Sequence, residues 1–405
     1  MKNNWKKILS FAAAGILALS AVGCGGMVDN GGNGGGGNAN VGGNSGVDTP
    51  SENNGPSILQ NLTQAKNVIL MIGDGMGPEQ IKAGELYKGE KLTMQNFPYM
   101  TKVETRSHSD EVTDSAAAAT AMATGKRTTN GIIGRSHDYQ DLETIVDIAS
   151  AMGKRTGVLA TEELYGATPM GFSAHAYTRG DQAGLLDSAA TTSNVNLFAS
   201  YTMSEAYQSK FTNAGYTAVA DVAAISDATG EKVFGSYNIK GTAPSMSAAE
   251  DNVAFDRLVT EALEYLSKDE DGFFLMAEGS HIDHGGHNND FCYMLEELMA
   301  FDDAVAAALK WAESRNDTVV IVLADHETGG LALTDEATHE TIVETYEAGG
   351  YGNTYSWSTG GHTSTDINCY INGANIDFRN YSFASSARIK NTDVFKIIKS
   401  LFNGA

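Results

Sequence analysis

The stretch NVILMIGDG, residues 67–75, is a continuous apolar run that ends in an acid and a glycine. A run without polar alternation is typical of a strand that is buried on both faces of a parallel sheet. The stretches GFFLMAEG (272–279) and TVVIVLADH (318–326) have the same character. Helical patterns lie between these runs, at 143–153, 252–268 and 293–315. This alternation predicts an α/β fold with a mainly parallel central sheet and helices on both faces.

Each apolar run carries acidic or imidazole side chains at its carboxyl end. The first ends in Asp74, the second in Glu278, and the third in Asp325 followed by His326. Ligands of open α/β sheets bind at the carboxyl ends of the strands. Three separate strands that end in carboxylates are more than solubility requires, so we expect these side chains to meet in one site.

Carboxylate and imidazole side chains make up a candidate set of metal ligands. In EGSHIDHGGH (278–287), Asp283 and His287 stand four residues apart, and one helical turn aims both at one ion. The whole candidate set is Asp74, Thr168, Glu278, Asp283, His287, Asp325, His326 and His362. Carboxylate with imidazole suits a catalytic zinc ion, and all-oxygen groups suit magnesium. The chain has no C-x-x-C pair and therefore no thiolate zinc site of that kind.

The stretch VTDSAAAAT (112–120) places Ser115 directly after Asp114 and at the start of a predicted alanine-rich helix. No G-x-S-x-G elbow surrounds any serine, which argues against a Ser–His–Asp hydrolase. A serine hydroxyl on a zinc ion loses its proton without a general base, and a helix N-terminus favours an anion. In the alternative interpretation, Thr113 or Asp114 is only a helix cap and Ser115 fills the first turn.

Six segments occur in the order, and nearly the wording, of one enzyme family. They are MIGDGMG, VTDSAAAATAMATGKRTTNG, ATPMGFSAHAYTR, EGSHIDHGGH, ADHETGG and GGHTS. From about residue 67 onward the chain thus resembles the alkaline phosphatases. The resemblance implies a central sheet flanked by helices. It also implies hydrolysis of small phosphate monoesters through a phosphoserine intermediate, with release of inorganic phosphate.

The resemblance assigns a role to each matched position. Ser115 matches the nucleophile, and Arg179 matches the arginine that clamps two phosphate oxygens, for which its planar fork suits better than lysine. The zinc that holds the leaving-group oxygen matches Asp283, His287 and His362. The zinc that activates the serine matches Asp74, Asp325 and His326. A third ion, usually magnesium, matches Asp74, Thr168 and Glu278, so the implied cofactors are two Zn²⁺ and one Mg²⁺.

Two positions depart from the family pattern near the third ion. Gly166 precedes ATP at a position where the family often carries Asp or His, and the missing side chain puts occupancy of the third site in question. His284 follows Asp283 where the family carries Lys, His or Trp. It either contacts a phosphate-held water or the metal, or is simply solvated. Asp114 is a further candidate for contact with the phosphate or with a ligand.

The N-terminus predicts export. Residues 1–23 combine a basic start with an apolar run too short to span a bilayer comfortably, which is typical of a signal peptide. AVGC resembles a lipobox, so Cys24 is a candidate lipid-attachment site, and ordinary secretion is the alternative. Residues 24–56 are Gly/Asn-rich and predict a flexible tether. We expect residues 57–405 to form a catalytic domain with surface insertions, in a cell-envelope lipoprotein or a secreted or periplasmic protein.

Charge limits the partners. The net charge is −23, and −26 without residues 1–23, which carry three lysines and no acids. Such a surface argues against nucleic acid, and against membrane contact other than through a lipid anchor. An anionic substrate then needs local positive charge at its site.

Some features leave alternatives open. Cys292 and Cys369 either pair or remain two buried thiols. Residues 180–251 and 334–357 match no motif, and we expect them to form the rim of the site or the contact of a homodimer. The alternatives to a monoesterase are a phosphodiesterase or other esterase on the same scaffold, and a non-catalytic phosphate-binding lipoprotein.

Overall fold

The computed structural model describes residues 64–239, 252–373 and 388–404. The predicted signal peptide, the tether and Cys24 lie outside these ranges and stay predictions. Within the described ranges, none of the helices combines the length and the apolar character that a membrane crossing needs.

In the described part of the chain, ten strands form one central sheet. In spatial order they are β14 (Arg388–Lys390), β2 (Tyr99–Glu104), β13 (Ile367–Gly373), β8 (Thr318–Leu323), β1 (Asn67–Gly73), β7 (Phe273–Gly279), β3 (Arg155–Glu163), β4 (Leu197–Tyr201), β6 (Val233–Tyr237) and β5 (Thr217–Val219). Strand β13 is antiparallel to both of its neighbours, and the other pairings in this sheet are parallel. Two small antiparallel pairs lie outside this sheet: β10 (Leu331–Leu333) with β11 (Tyr355–Trp357), and β12 (His362–Thr363) with β9 (Glu327–Thr328).

Helices cover both faces of the sheet. They are α1 (Pro78–Lys88), α2 (Ser115–Thr124), α3 (Ile145–Ala151), α4 (Ala167–Ser173), α5 (Gln182–Thr192), α6 (Glu205–Asn213), α7 (Phe255–Leu266), α8 (His281–His287), α9 (Phe291–Glu313), α10 (His339–Glu347) and α11 (Asn391–Asn403). Short 3₁₀ turns lie at Thr93–Asn96 and Val222–Ala224.

Two adjacent residues of β7 show the two faces, because successive side chains of a strand point to opposite sides. Phe273 packs on Trp311 of α9, with ring centroids 5.5 Å apart. Phe274 packs instead on Phe172 of α4 and on Phe402 of α11. Burial of each such side chain contributes about 1.5–3 kcal/mol to folding. The α/β architecture with a mainly parallel sheet and helices on both faces is therefore confirmed.

The strand order brings distant parts of the chain to one edge. Strands β8, β1, β7 and β3 are neighbours, and Ile72 of β1 lies opposite both Glu278 of β7 and Leu323 of β8. Asp74 and Asp325 each follow two residues after this register position. The acids at the ends of the three apolar runs therefore leave the sheet together.

Residues 180–251 are still expected to form the rim of the site or a dimer contact, and part of them also belongs to the central sheet. Their described part supplies α5, α6 and the strands β4, β5 and β6, which extend the central sheet at one end. The strands are only three to five residues long. Their sequences therefore lack the long apolar run that marks the central strands. Cys292 and Cys369 form no disulfide and are free thiols, Cys369 being buried within β13.

Candidate active site

Helix α2 places Ser115 at the edge of the sheet. Asp114 caps the helix, because its Oδ1 accepts a hydrogen bond of 3.0 Å from the amide of Ala117. All ten helical residues are buried, and the alanines permit close packing on α4. A Cβ added to Gly171 would lie 2.6 Å from the Cβ of Ala119. Ser115 is the first residue of α2 and is 3% exposed. Capping by Asp114 and a chemical role of Ser115 are therefore compatible.

The Ser115 hydroxyl faces a carboxylate–imidazole cluster. Its Oγ lies 3.2 Å from Nε2 of His326. The same nitrogen lies 3.2 Å from Oδ2 of Asp325 and 3.6 Å from Oδ1 of Asp74. All four residues are buried. The structure thus brings the hydroxyl and three candidate ligands around one point, and Asp74, Asp325 and His326 have the spacing of a metal site.

A second cluster lies beside the first. His287 Nε2 is 3.2 Å from Oδ2 of Asp283 and 3.2 Å from Nε2 of His362. Asp283 and His287 lie one turn apart on α8, and His362 begins β12. The rings of His362 and His326 stack with centroids 3.6 Å apart. The ligand atoms of the two clusters are therefore adjacent, and Asp283, His326 and His362 also lie within mutual reach of one ion.

Hydrogen bonds from Nδ1 of His287 and of His362 determine which ring nitrogen of each histidine can bind a metal. Nδ1 of His287 donates to the carbonyl of Gly360 at 2.8 Å, and Nδ1 of His362 donates to the carbonyl of Thr113 at 2.9 Å. Because a carbonyl can only accept, Nδ1 carries the proton in both rings. Nε2 is left to bind a cation.

Thr328 links the two clusters. Its hydroxyl donates to Oδ1 of Asp283 and therefore accepts from Nδ1 of His326, which lies 3.2 Å away. Nε2 of His326 is thereby left free for a metal. Thr328 lies in the matched segment ADHETGG but was given no role from the sequence, so its position in the folded chain reveals this contact.

Two backbone amides hold Asp325. Its Oδ1 accepts from the amides of Gly75 at 3.1 Å and His326 at 2.8 Å. Oδ2 makes no hydrogen bond in the described part of the chain and remains available to an ion. Gly75 has φ +72°, and a Cβ there would lie 2.7 Å from Cα of Asp283. The close approach of β1 to α8 therefore requires glycine.

A third group of oxygens lies behind Asp74. Thr168 and Glu278 are both completely buried, and Oγ1 of Thr168 and Oε1 of Glu278 make no hydrogen bond of normal geometry to other described residues, although Thr168 lies close enough to offset part of the rise that burial causes in the pKa of the Glu278 carboxyl. Oδ1 of Asp74 is likewise without such a partner. Buried polar atoms are normally paired, because each one left unpaired costs about 1–3 kcal/mol. These atoms form an all-oxygen donor set of the kind that suits Mg²⁺.

Glu162 is a charged neighbour of this third group, since it helps to raise the pKa of Asp74, and it was missed from the sequence. It lies near the end of β3, the fourth strand at this edge, and its Oε2 is 3.8 Å from Nε2 of His284. The sequence of β3, RTGVLATEE, begins with polar residues and therefore does not predict a strand that is buried on both faces. Applying the strand-end rule to β3 would have found Glu162. The structure thus places His284 beside this carboxylate.

The electrostatics of the site favour cations. Burial and repulsion from neighbouring carboxylates, Asp325 first, raise the pKa of Asp74 well above its usual range. Burial raises the pKa of Glu278 to about 7 and lowers the pKa of His326, whose ring is therefore neutral at pH 7. The hydrogen bond with Asp283 raises the pKa of His287 to about 9. Divalent ions would relieve the repulsion, and the neutral imidazole and orphaned oxygens fit them as ligands.

Arg179 and Asp114 form a contact at the mouth of the site. Nη1 of Arg179 lies 3.5 Å from Oδ2 of Asp114, and the side chain of Arg179 is 43% exposed. Oδ2 of Asp114 also accepts from the amide of Gly131 at 2.9 Å, and the amide of Arg179 donates to the Gly131 carbonyl. Asp114, which directly precedes Ser115, therefore holds the partly exposed side chain of Arg179 close to the serine.

Comparison with known sequences gives consistent matches. The alkaline phosphatase family profile matches residues 65–210 and 207–351. Alkaline phosphatase 3 of Bacillus subtilis (strain 168) is 32% identical over 312 residues, covering 71% of this chain and 66% of that protein. Streptomycin-6-phosphate phosphatase of Streptomyces griseus is 30% identical over 397 residues, covering 79% of this chain and 86% of that protein. The match covers 64% of alkaline phosphatase 4 of B. subtilis, so the chain spans just under two thirds of the length of some relatives.

Solved structures agree with these matches. The alkaline phosphatase from the Antarctic bacterium TAB5 aligns with a TM-score of 0.70 at 29% identity, covering 85% of this chain and 99% of that chain. A variant of that enzyme with Mg bound in its M3 site aligns with a TM-score of 0.71 at 28% identity. The family profile spans well over half of the chain. The chain is therefore a member of the alkaline phosphatase family.

Proposed function

We propose that this chain is a metal-dependent phosphate monoester hydrolase that works through a phosphoserine on Ser115 and releases inorganic phosphate. One observation carries the proposal: the Ser115 hydroxyl lies 3.2 Å from Nε2 of His326, the nitrogen that joins Asp74 and Asp325 in a metal-binding arrangement. The sequence of residues 1–23 supports action outside the cytoplasm, with Cys24 as a candidate lipid anchor.

The donor atoms support three cations. Two carboxylate–imidazole sets would each hold Zn²⁺: Asp283 with His287 and His362, and Asp74 with Asp325 and His326. The oxygen set of Asp74, Thr168 and Glu278 would hold Mg²⁺. When bound, such ions stabilise the charge on the serine oxygen and on the leaving oxygen.

The residues of the chain carry the remaining steps. Oγ of Ser115 attacks phosphorus, the ester P–O bond breaks, and the alcohol leaves with a proton. Water then attacks the phosphoserine, the P–Oγ bond breaks, and the Ser115 hydroxyl is restored as phosphate departs. Ser115 is the first residue of α2, and the positive end of the helix dipole favours negative charge there. The phosphoryl group is transferred twice, first to Ser115 and then to water, and no atom changes its oxidation state.

Arg179 supports a monoester as the substrate. Its planar guanidinium can bind two phosphate oxygens together, and Asp114 holds it near the serine. A phosphodiester has one fewer unsubstituted oxygen for this contact. Together with the cations, Arg179 also provides the local positive charge that a surface of net charge −23 otherwise lacks.

The test is hydrolysis of an aryl phosphate at mildly alkaline pH with Zn²⁺ and Mg²⁺. Turnover should be abolished by a chelator and by Ser115→Ala, and it should survive Ser193→Ala, a control at the end of α5. The matching aryl phosphodiester should be a poor substrate. Preference for the diester would favour a phosphodiesterase on this scaffold. Absence of turnover in the metal-loaded chain would favour a non-catalytic phosphate-binding protein.

A further inference from the structure

Glu162 lies on β3, which pairs with β7, the strand that carries Glu278. In the parallel register of β3 and β7, Ala160 lies opposite Glu278. Glu162 lies two residues further along β3, within the segment from Leu159 to Glu163 where the pairing of β3 with β4 changes register. Its side chain is 19% exposed, so most of its surface is covered by neighbouring residues.

Gly166 leaves the room that the Glu162 carboxylate occupies. A Cβ added at residue 166 would lie 1.9 Å from Oε1 and 2.7 Å from Cδ of Glu162. Gly166 has φ −53° and ψ 154°, a conformation open to residues with side chains. A side chain at 166 would therefore displace the Glu162 carboxylate, whereas the backbone conformation itself would accept other residues. The position at which the family pattern carries a side chain is filled by Glu162.

The surroundings of Glu162 are those of a cation ligand. Glu278 is the charged group that repels its carboxylate most strongly, and Asp74 also lies within its field. His284 faces its Oε2 at 3.8 Å. Thr168 lies close enough to Glu278 to offset part of the rise that burial causes in the pKa of that carboxyl, and the buried atoms Oε1 of Glu278 and Oγ1 of Thr168 have no hydrogen-bond partner of normal geometry among the described residues. A cation among these carboxylates and buried oxygen atoms would relieve the repulsion between Glu162, Glu278 and Asp74.

We propose that Glu162 binds the third cation together with Asp74, Thr168 and Glu278, and replaces the side chain that Gly166 lacks. Three carboxylates and a hydroxyl form an all-oxygen set, which selects Mg²⁺ over Zn²⁺. Glu162 and Gly166 are then a compensating pair, because the carboxylate of Glu162 lies where a side chain at residue 166 would be. The inference rests on the proposed metal-dependent function, but its test measures Mg²⁺ binding without substrate, so the two fail independently.

The first test is Mg²⁺ binding by titration calorimetry, on full-length protein stripped of metals and reloaded with Zn²⁺. Glu162→Gln should weaken Mg²⁺ binding at least about tenfold, because loss of even an indirect metal partner costs about 10–100-fold in affinity. Glu163→Gln, which makes the same change at the next residue, should leave it unaltered. Equal Mg²⁺ affinity in Glu162→Gln and the parent protein would overturn the proposal.

Thermal unfolding separates a ligand from a structural residue. Removing a repelled charge should leave the melting temperature of the metal-free Glu162→Gln variant equal to or above that of the parent. The increase that Mg²⁺ causes in melting temperature should be smaller in the variant. A metal-free variant that melts lower while keeping the full Mg²⁺-induced increase would show a structural role and overturn the proposal.

The second test moves the carboxylate back to residue 166. The variant Glu162→Ala should lose Mg²⁺ affinity, and the double variant Glu162→Ala with Gly166→Asp should recover most of it. Gly166→Asp alone should melt lower than the double variant, because Glu162 occupies the space that the new side chain needs. Failure of the double variant to recover affinity, or a Gly166→Asp variant that melts like the parent, would contradict the compensation.

Discussion

Gly75 is the residue at which a single methyl group should disturb the whole site. It lies between β1 and α8 with φ +72°, and its amide donates to Oδ1 of Asp325. In the variant Gly75→Ala, the new Cβ would lie 2.7 Å from Cα of Asp283 and 2.9 Å from Oγ1 of Thr328. The first of these atoms is backbone, so α8 has to move away from β1.

The cost has two parts. The left-handed backbone conformation costs a residue with a side chain about 1–2 kcal/mol. Overlap in a packed interior adds about 1–3 kcal/mol. Gly75→Ala should therefore lower the free energy of unfolding of the metal-free chain by about 2–5 kcal/mol. It should also weaken Zn²⁺ binding, because Asp283 and Asp325 both shift.

The chain contains a matched control for the conformational part. Gly349 has φ +73°, and no atom lies within 4 Å of the Cβ that would be added there. Gly349→Ala should therefore cost only about 1–2 kcal/mol and leave Zn²⁺ affinity unchanged. Urea unfolding of both metal-free variants measures the difference. If Gly75→Ala costs no more than Gly349→Ala, the close contact between β1 and α8 is not as described.

Three further outcomes follow from the same geometry. Thr328→Val removes the hydroxyl between Asp283 and His326 and should weaken Zn²⁺ binding about 10–100-fold, measured by competition with a chelator; unchanged affinity would contradict the link. Arg179→Lys loses one charge-assisted hydrogen bond of about 1.5–3 kcal/mol and should lower kcat/KM for a monoester about 10–100-fold; equal kcat/KM would exclude the clamp. Because the pKa of His287 is raised to about 9, the metal-free ring is protonated below that pH. Zn²⁺ must displace this proton, so the affinity for Zn²⁺ should fall about tenfold for each pH unit below 9. A Zn²⁺ affinity that does not change with pH in this range would refute the prediction.

The sequence predicts the centre of the sheet better than its ends. The apolar runs of β1, β7 and β8 are long enough to mark strands buried on both faces, and their terminal acids pointed to one edge. The short strands β4, β5 and β6 lack such runs and lie in a segment that matches no motif, for which a place at the rim of the site or in a dimer contact was expected. Their place in the sheet depends on pairing with neighbours, which no local pattern encodes.

The candidate ligands were recognisable as residue types at strand and helix ends, but their supports were not. Nδ1 of His287 and of His362 is held by backbone carbonyls of Gly360 and Thr113, and carbonyls leave no mark in a sequence. The role of Glu162 could not be predicted from the sequence for a related reason. Its proximity to residue 166 arises from the turn between β3 and α4, so only the folded chain shows that the missing side chain has a substitute.

The central claim is that Ser115 carries the phosphoryl group. The most direct measurement is mass spectrometry of the metal-loaded protein, quenched in acid during turnover of a phosphate monoester, with peptide mapping of the modified residue. We expect one phosphoryl group on the peptide that contains Ser115, and none after treatment with a chelator or in Ser115→Ala. A phosphoryl group on another residue, or turnover that persists in Ser115→Ala, would contradict the proposed mechanism.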